Sequence, residues 1–275
     1  MARTQSSIAV SGNGQNWFLF NASPDLRQQI NGNPQLHPSH GLRTSPISGV
    51  ILTNADVDHV AGLLTIREST PLALYATERV LETLKANSIF NVLNPEFVER
   101  RSIVLGEPFE PKTPSGGTSG LIVEPFAVPG KVALYLEDPN AGDNFGTQQG
   151  DTVGVRVTSA KSGEYFFYIP GCAEVLPELE GRLADAPLIL FDGTLWQDNE
   201  MIDAGIGVKT GKRMGHISMS GDDGSMAAFK NLNIGRKIFI HINNSNPTLL
   251  DGTPERQEVE DNGWEISYDG MVISL

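Results

Sequence analysis

The sequence has 275 residues, 39% of them hydrophobic, with 20 basic and 33 acidic side chains and a net charge of −13. A chain of this length can bury a large core, and we expect one domain over residues 1–275. The negative charge disfavours nucleic acid and anionic lipid surfaces as partners. A single cysteine excludes both an internal disulfide and a zinc site built from several thiolates.

Membrane and export signals are also lacking in the sequence. No segment approaches the roughly 18 consecutive apolar residues that a membrane-spanning helix needs. The residues that follow Met1 do not include the apolar core of a secretory signal. We therefore expect a cytoplasmic protein that does not enter a membrane.

The first half of the chain alternates predicted strands and helices. Apolar runs around a Gly/Asn turn predict an opening β-hairpin, and Asn21–Asp25 then turns the chain into a short helix. Hydrophobic spacing distinguishes the buried strands that follow from the amphipathic helices. The predicted elements are the hairpin 7–20, a buried strand 49–53, helices 60–68 and 78–93, and strands 103–105 and 121–128.

The second half continues the alternation and is interrupted by loops. Residues 111–120 and 140–150 are rich in Pro, Gly, Ser, Asn and Gln, which is typical of loops. The second of these loops is long enough to be a lid or a binding loop, and a merely mobile loop fits equally well. The predicted elements are strands 153–157, 165–169, 188–192 and 237–242, and a helix that includes 226–229.

The segment Asn54–His59 lies between a buried strand and a helix, where an H-x-H-x-D-H metal box would be expected. Only the last two ligands of that box, Asp58 and His59, are present. Carboxyl ends of strands in α/β sheets collect ligands, and neighbouring residues can converge on one ion only from a loop or bend. Alternatively, Asp56 or Asp58 caps the helix and His59 is a surface group.

Three later segments add chemistry-bearing residues. Asp192 ends an apolar strand, His216 comes just before a predicted helix, and His241 lies at the end of another apolar strand. Each alone is ordinary, because a lone histidine beside apolar residues is more often a packed side chain than a ligand. Their order along the chain, after the partial box, favours one shared site.

This order of motifs resembles the metallo-β-lactamase superfamily, especially its ribonuclease Z-like branch, and within it the coenzyme PQQ synthesis protein B family. The resemblance implies an α/β fold, a four-layer αββα sandwich with a metal site at one sheet edge. It covers almost the whole chain. The segments that carry it are 2–11, 21–25, 54–59 with 62–64 and 67–68, 170–172, 191–196 and 214–216.

The sequence also departs from the hydrolases of that superfamily. Asn54 and Asp56 replace the two leading histidines of the box, and Pro129–Lys131 offers no histidine near the expected third ligand. Cys172 stands where the hydrolases place a bridging aspartate. We therefore expect the first metal site to be absent, with Cys172 either a small buried side chain or a contact to metal or substrate. Family members also carry an upstream cysteine-rich zinc segment, which is not part of the sequence as given.

The residues that remain imply one metal ion. Asp58, His59 and His241 supply one carboxylate and two imidazoles, which is the facial triad of non-haem iron(II) enzymes that use dioxygen. A catalytic zinc held by three protein ligands and water is also compatible with this set. Asp56 is a candidate fourth ligand, or it hydrogen-bonds a ligating histidine, and Asn54 could do likewise.

By the same resemblance, Asp192 and His216 form a proton-transferring pair beside the metal. A carboxylate can hold an imidazole in one tautomer and raise its basicity, which suits a general acid or base near neutral pH. We assign proton transfer to His216 and its orientation to Asp192. The alternative is structural, with Asp192 capping a turn and His216 capping a helix.

A glycine-containing loop, 205–211, precedes His216 and carries basic residues. Its spacing fits neither standard phosphate-binding glycine fingerprint. Lys209, Lys212 and Arg213 form a local basic cluster in an acidic protein. Such a cluster suits an anionic substrate, and the alternative is a solvated loop.

The function implied by the resemblance is a step of pyrroloquinoline quinone (PQQ) biosynthesis. We expect iron- and dioxygen-dependent hydroxylation of the tyrosine-derived ring in a small, dipeptide-like Glu–Tyr precursor. The alternatives are a non-catalytic carrier of PQQ or its precursor with a transport role, and a single-metal hydrolase. A homodimer is left open.

Overall fold

Two β-sheets organise the residues that the computed structural model describes, which are 3–38, 41, 44–67 and 69–275. The strands of the first sheet are β1 (Ile8–Val10), β2 (Trp17–Phe20), β3 (Ile47–Ile51), β4 (Leu72–Ala76) and β5 (Val98–Ser102). They lie in the order β1-β2-β3-β4-β5. The first pair is antiparallel, as expected of the opening hairpin, and the other pairs are parallel.

The second sheet is built from the later strands. They are β6 (Leu121–Ala127), β7 (Val153–Ser159), β8 (Tyr165–Ile169), β9 (Leu188–Asp192), β10 (Arg236–Ile240) and β11 (Trp264–Ile266). Their order is β11-β10-β9-β8-β7-β6. Strands β8 to β11 are parallel, whereas β6, β7 and β8 pair antiparallel.

Short helices cover the outer faces of both sheets. The α-helices are α1 (Leu26–Gly32), α2 (Val57–Val60), α3 (Glu78–Ala86), α4 (Pro177–Leu183), α5 (Glu200–Asp203), α6 (Gly211–Met214), α7 (Ser225–Ala228) and α8 (Pro254–Asp261). Single 3-10 turns occupy Pro34–Leu36, Ala61–Leu64, Ser88–Val92, Leu134–Leu136 and Pro247–Leu249.

Three apolar layers hold the sheets and helices together. Leu19 packs with the helices outside the first sheet, whereas Phe18 and Phe20 pack between the two sheets. In β9, Ile189 packs on the outer helices of the second sheet and Leu190 faces the first sheet. This alternation follows from the two-residue period of a strand. Helix, sheet, sheet and helix layers result, so the predicted αββα sandwich is confirmed.

Three sequence predictions differ from the structure. Residues 103–105 are not a strand, because the pairing with β4 ends at Ser102. The observed strand β5 contains a single apolar residue, Val98, so hydrophobic periodicity does not reveal it. The helix expected over 60–68 starts earlier and becomes a 3-10 turn at Ala61, and residue 68 lies outside the described residues. The helix expected over 78–93 ends at Ala86, because Asn87 has an extended backbone with φ −100° and ψ 103°.

Candidate metal centre and proton-transfer pair

The candidate site lies where strands of both sheets end. Asp192 is the last residue of β9, and its register partner Ile240 is the last residue of β10, so His241 follows directly beside it. His241 has a φ of +55°. Left-handed backbone is unusual outside glycine and costs roughly 1–3 kcal/mol. The sharp turn it creates at the end of β10 places a histidine beside the loop that follows β3.

One carboxylate and two imidazoles converge at this edge. The donor atoms of Asp58, His59 and His241 lie within 4.8 Å of one another. Oδ2 of Asp58 is 2.8 Å from Nε2 of His241 and 3.8 Å from Nε2 of His59. The two imidazole rings are 5.0 Å apart and meet edge to face. The three groups therefore share one small volume.

His59 is oriented by Asn54. Nδ1 of His59 donates to Oδ1 of Asn54 at 2.6 Å, and the same oxygen accepts the backbone N–H of Asp56. Nε2 is buried and has no hydrogen-bond partner among the described residues. Burial lowers the pKa of His59 to about 4, so the ring is neutral at pH 7. A buried, neutral, unpartnered nitrogen beside a carboxylate fits a metal ligand.

Asp58 and His241 are electrostatically linked. Burial alone would raise the pKa of Asp58, but the neighbouring imidazoles and the hydrogen bond from His241 hold it well below its usual range. Burial lowers the pKa of His241, yet its hydrogen bond to Asp58 and the nearby carboxylates raise it above the ordinary value overall. Asp58 is therefore ionised at neutral pH, as a carboxylate ligand must be.

A second group surrounds the buried carboxylate of Asp192. Oδ2 of Asp192 accepts Nδ1–H of His216 at 2.7 Å and the backbone N–H of Cys172 at 2.9 Å. Burial raises its pKa, but the charge and hydrogen bond of His216 and the bond from Thr194 lower it overall. His216 stacks on His241 with ring centroids 5.2 Å apart. The predicted proton-transfer pair thus lies beside the first group.

Two other candidates are placed elsewhere. Oδ1 of Asp56 accepts the backbone N–H of Leu134 at 3.1 Å and lies 3.5 Å from Nζ of Lys131. The structure therefore does not bring Asp56 into the ligand group. The thiol of Cys172 is buried and donates to the carbonyl of Glu174, and burial raises its pKa to about 12. Cys172 is a protonated packing residue whose backbone holds Asp192.

The basic loop forms an ion-pair network with a glutamate that the sequence did not single out. Arg213 contacts Glu137 through two nitrogens, at 3.2 and 2.7 Å, and Nζ of Lys209 lies 3.2 Å from the same carboxylate. Lys131 lies 3.9 Å from it. The guanidinium of Arg213 also lies 3.4 Å from the centroid of the Phe145 ring. This network ties the 134–151 segment to the loop before His216.

Two functional candidates carried weak sequence signals. Glu137 is an isolated acid in a loop, and its hydrogen-bonded partners, Lys209 and Arg213, lie more than 70 positions away. Thr194 was not singled out in the sequence and lies in the Asp-Gly-Thr turn after β9, yet its hydroxyl contacts both His216 and His241. The one sequence signal for Thr194 is its position two residues after Asp192, the acid that ends β9.

A membrane span is not seen in the part of the chain that the structure describes, since none of its helices is both long and apolar enough to cross a bilayer.

Comparison with known proteins assigns the family. The model of the β-lactamase superfamily domain matches residues 16–242. Coenzyme PQQ synthesis protein B of Bradyrhizobium diazoefficiens is 55% identical over 276 aligned positions, covering 100% of this chain and 89% of that protein. The protein of the same name from Rhodopseudomonas palustris is 54% identical with the same coverage. The chain belongs to the coenzyme PQQ synthesis protein B family. The predicted resemblance is thereby confirmed.

Solved structures agree with this assignment. The crystal structure of Zn²⁺-bound PqqB from Methylobacterium extorquens has a TM-score of 0.91 and 50% identity, and covers 99% of this chain and 88% of that one. A diphosphatase of the PhnP family and the short form of human tRNase Z reach TM-scores of 0.65 and 0.61 at 17% and 16% identity. The two alignments each cover 99% of this chain, and they cover 85% and 94% of the respective other chains. At this level of identity they support the fold alone.

Proposed function

We propose that this chain acts in PQQ synthesis as a metal-dependent hydroxylase of the tyrosine-derived ring in a dipeptide-like Glu–Tyr precursor. The observation that carries the proposal is the convergence of Asp58, His59 and His241, with Nε2 of His59 buried and unpartnered. One carboxylate and two imidazoles are the ligand set of non-haem iron(II) enzymes. The relatives are named for coenzyme PQQ synthesis, and one of them was crystallised with Zn²⁺.

The residues that occupy the other ligand positions of the two-metal hydrolases disfavour hydrolysis with two metal ions. Asn54 holds His59, and Asp56 faces Leu134 and Lys131. Cys172 is a protonated thiol bonded to a backbone carbonyl. Each residue that replaces a hydrolase ligand therefore has a structural partner of its own, which favours chemistry at a single metal.

Iron(II), when bound, would supply the reaction with dioxygen, since three protein ligands leave positions free for substrate and oxygen. In the balanced reaction, one atom of dioxygen enters a ring C–H bond to give C–OH, and the other takes up two protons and leaves as water. Two electrons come from an external reductant such as ascorbate. The protein's part is to position the ring and to handle the protons.

His216 is the residue that this structure offers for proton transfer. Its Nδ1–H is held by Asp192, which leaves Nε2 as the atom that can take the proton from a phenol or from the ring carbon being oxidised. The buried carboxylate stabilises the imidazolium that results. A precursor with free carboxylates also suits the basic residues Lys131, Lys209 and Arg213 of the neighbouring network.

The test is dioxygen consumption by anaerobically purified, iron(II)-loaded protein with ascorbate and a Glu–Tyr-containing peptide mimic. Zinc-loaded protein is the metal control. His37→Ala is the matched histidine control, because His37 is exposed and its ring contacts the carbonyl of Ile30. Uptake that needs both iron and substrate, with a product that gains one oxygen by mass, is expected.

The outcomes separate the three candidate functions. Uptake that is lost in His59→Ala and His241→Ala but kept in His37→Ala supports the hydroxylase. Tight PQQ binding without uptake, unchanged by removal of the metal, would favour the carrier instead. Zinc-dependent cleavage of an ester or phosphodiester would favour the single-metal hydrolase.

A further inference from the structure

We propose that Thr194 is a positioning residue whose hydroxyl fixes the tautomer of His241 and links the metal centre to the Asp192–His216 pair. This inference rests on the metal site of the proposed function. It concerns how the ligand is held rather than which reaction follows. The hydroxyl then keeps the proton of His241 on Nδ1, which leaves Nε2 able to bind the metal.

The hydroxyl of Thr194 lies at the junction of the two groups. Its Oγ1 is 2.7 Å from Oδ1 of Asp192 and 2.7 Å from Nδ1 of His241. It is also 3.1 Å from Nδ1 of His216 and 3.0 Å from the carbonyl of His241. Thr194 is 7% exposed. Bulk water therefore contributes little to satisfying these groups.

The number of donors and acceptors around Thr194 determines the direction of its hydrogen bonds. A threonine hydroxyl has one proton to donate and two lone pairs, whereas an ionised carboxylate only accepts. The short contact to Asp192 is charge-assisted and therefore takes the hydroxyl proton in preference to the longer contact to the carbonyl of His241. Oγ1 must then accept from Nδ1–H of His241.

The consequence is that Nε2 of His241 is the ligating atom. This nitrogen faces Asp58, 2.8 Å from Oδ2, inside the candidate metal group. A metal ion held by Asp58 and His241 would require Nε2 of His241 to be free of its proton. Partners that hold the outer nitrogen of a ligating histidine orient the ring and raise its affinity for metal. Asn54 plays the corresponding part for His59.

Backbone hydrogen bonds fix the position of the Thr194 hydroxyl beside the His241 ring. Gly193 N–H donates to the carbonyl of Ile240 at 2.8 Å, and Asn243 N–H donates to the carbonyl of Thr194 at 3.0 Å. These bonds extend the pairing of β9 with β10 beyond the last strand residues. Because threonine is branched at Cβ, its χ1 is also restricted. The hydroxyl position is thus fixed by both the backbone and the side chain.

The substitutions that test this role are Thr194→Val and Thr194→Ser. Valine keeps the shape and removes the hydroxyl, whereas serine keeps the hydroxyl and removes the methyl group. Thr77→Val is the matched control, because Thr77 is also buried and its hydroxyl bonds the carbonyl of Gly150 outside both groups. Zinc affinity is measured by competition with a chromogenic chelator. The tautomer is read from long-range ¹H–¹⁵N spectra of the histidine rings.

We expect Thr194→Val to bind zinc about 10–100-fold more weakly than the unsubstituted protein. Thr194→Ser should stay within a few-fold, and Thr77→Val should be unchanged. Zinc-loaded protein should show protonated Nδ1 at His241, and this signal should be lost or mixed in Thr194→Val. Unchanged affinity and tautomer in Thr194→Val would overturn the proposal, as would equal losses in the valine and serine variants.

The readout also separates this proposal from the proposed function. Zinc binding and ring tautomers need no turnover, so they report on Thr194 even if no hydroxylation is found. Conversely, hydroxylation by a protein whose Thr194→Val variant binds metal normally would support the reaction and refute the positioning role.

Discussion

The metal group and the basic loop network use similar chemistry in different surroundings. Asp58 and His59 lie on α2, and His241 directly follows β10; neighbouring side chains hold their carboxylate and rings. Glu137 lies in a loop and Arg213 lies on the short helix α6, and the side chain of Arg213 is still 28% exposed. The end of β10 and the hydrogen bonds of both imidazoles position the first group, whereas ion pairs and the contact of Arg213 with the Phe145 ring hold the second.

This difference separates the consequences of substitution. A buried imidazole is held in one orientation when the nitrogen that faces away from the metal is hydrogen-bonded. No neighbouring side chain can replace it as a ligand once it is removed. Partly exposed ion pairs on loops are screened by solvent and contribute little to stability. We therefore expect large effects on metal binding from Asp58, His59 and His241, and small effects on stability from the Glu137 network.

The largest effect is expected from His59→Ala and His241→Ala. Each removes one of the three proposed protein ligands, so metal affinity should fall by more than the roughly 100-fold that follows loss of a residue behind a ligand. Isothermal titration with zinc measures the affinity, with His37→Ala as control. Near-normal affinity in either variant would place the metal elsewhere.

His216→Ala should separate catalysis from metal binding. Loss of a positioned general acid or base lowers kcat by about 10²–10⁴-fold, while the ligating atoms of Asp58, His59 and His241 remain. Single-turnover rates and zinc affinity, measured on the same preparation, check this. A fall in zinc affinity as large as that of His241→Ala would show that His216 is itself a ligand.

The sequence predicted the residues at strand ends better than those in loops. Asp192 and His241 each follow an apolar run, and parallel neighbouring strands end at one edge, so their convergence could be expected. Asp58 and His59 could be predicted as candidate ligands because they match the last two positions of a known metal-binding motif. The same logic placed Asp56 among the ligands, but its side chain turns to Leu134 and Lys131 in a loop that strand spacing cannot predict.

The loop network shows why the remaining features were missed. Lys209 and Arg213 were recognised as a basic cluster, but their pairing with Glu137 joins residues 72 and 76 positions apart, from a loop and from α6. The periodicity of hydrophobic residues carries no information about such a contact. The role of Thr194 depends on hydrogen-bond directions that only the three-dimensional arrangement defines.

Asn54→Ala tests whether the residue that replaced a leading box histidine now supports a ligand. Nδ1 of His59 would lose its acceptor, and we expect metal affinity to fall by about 10–100-fold. Asn54→Asp keeps an acceptor and should retain most of the affinity. Chelator competition compares the two variants, and equal affinity in Asn54→Ala and the unsubstituted protein would contradict the assignment.

The smallest effect is expected from Glu137→Gln, which breaks the loop network. The bonds from Arg213 and Lys209 lower the pKa of Glu137 to about 2, against an ordinary value of 4.5. Because the folded pKa is the lower one, this carboxylate stabilises the fold above about pH 4.5, and the contribution is lost as the pH falls toward 2. Urea unfolding should therefore show a deficit of about 1 kcal/mol at pH 7 that disappears near pH 2, with unchanged zinc affinity at pH 7. If Glu137→Gln instead weakened zinc binding as much as Asn54→Ala, the two regions would be coupled, and the contrast between them would be wrong.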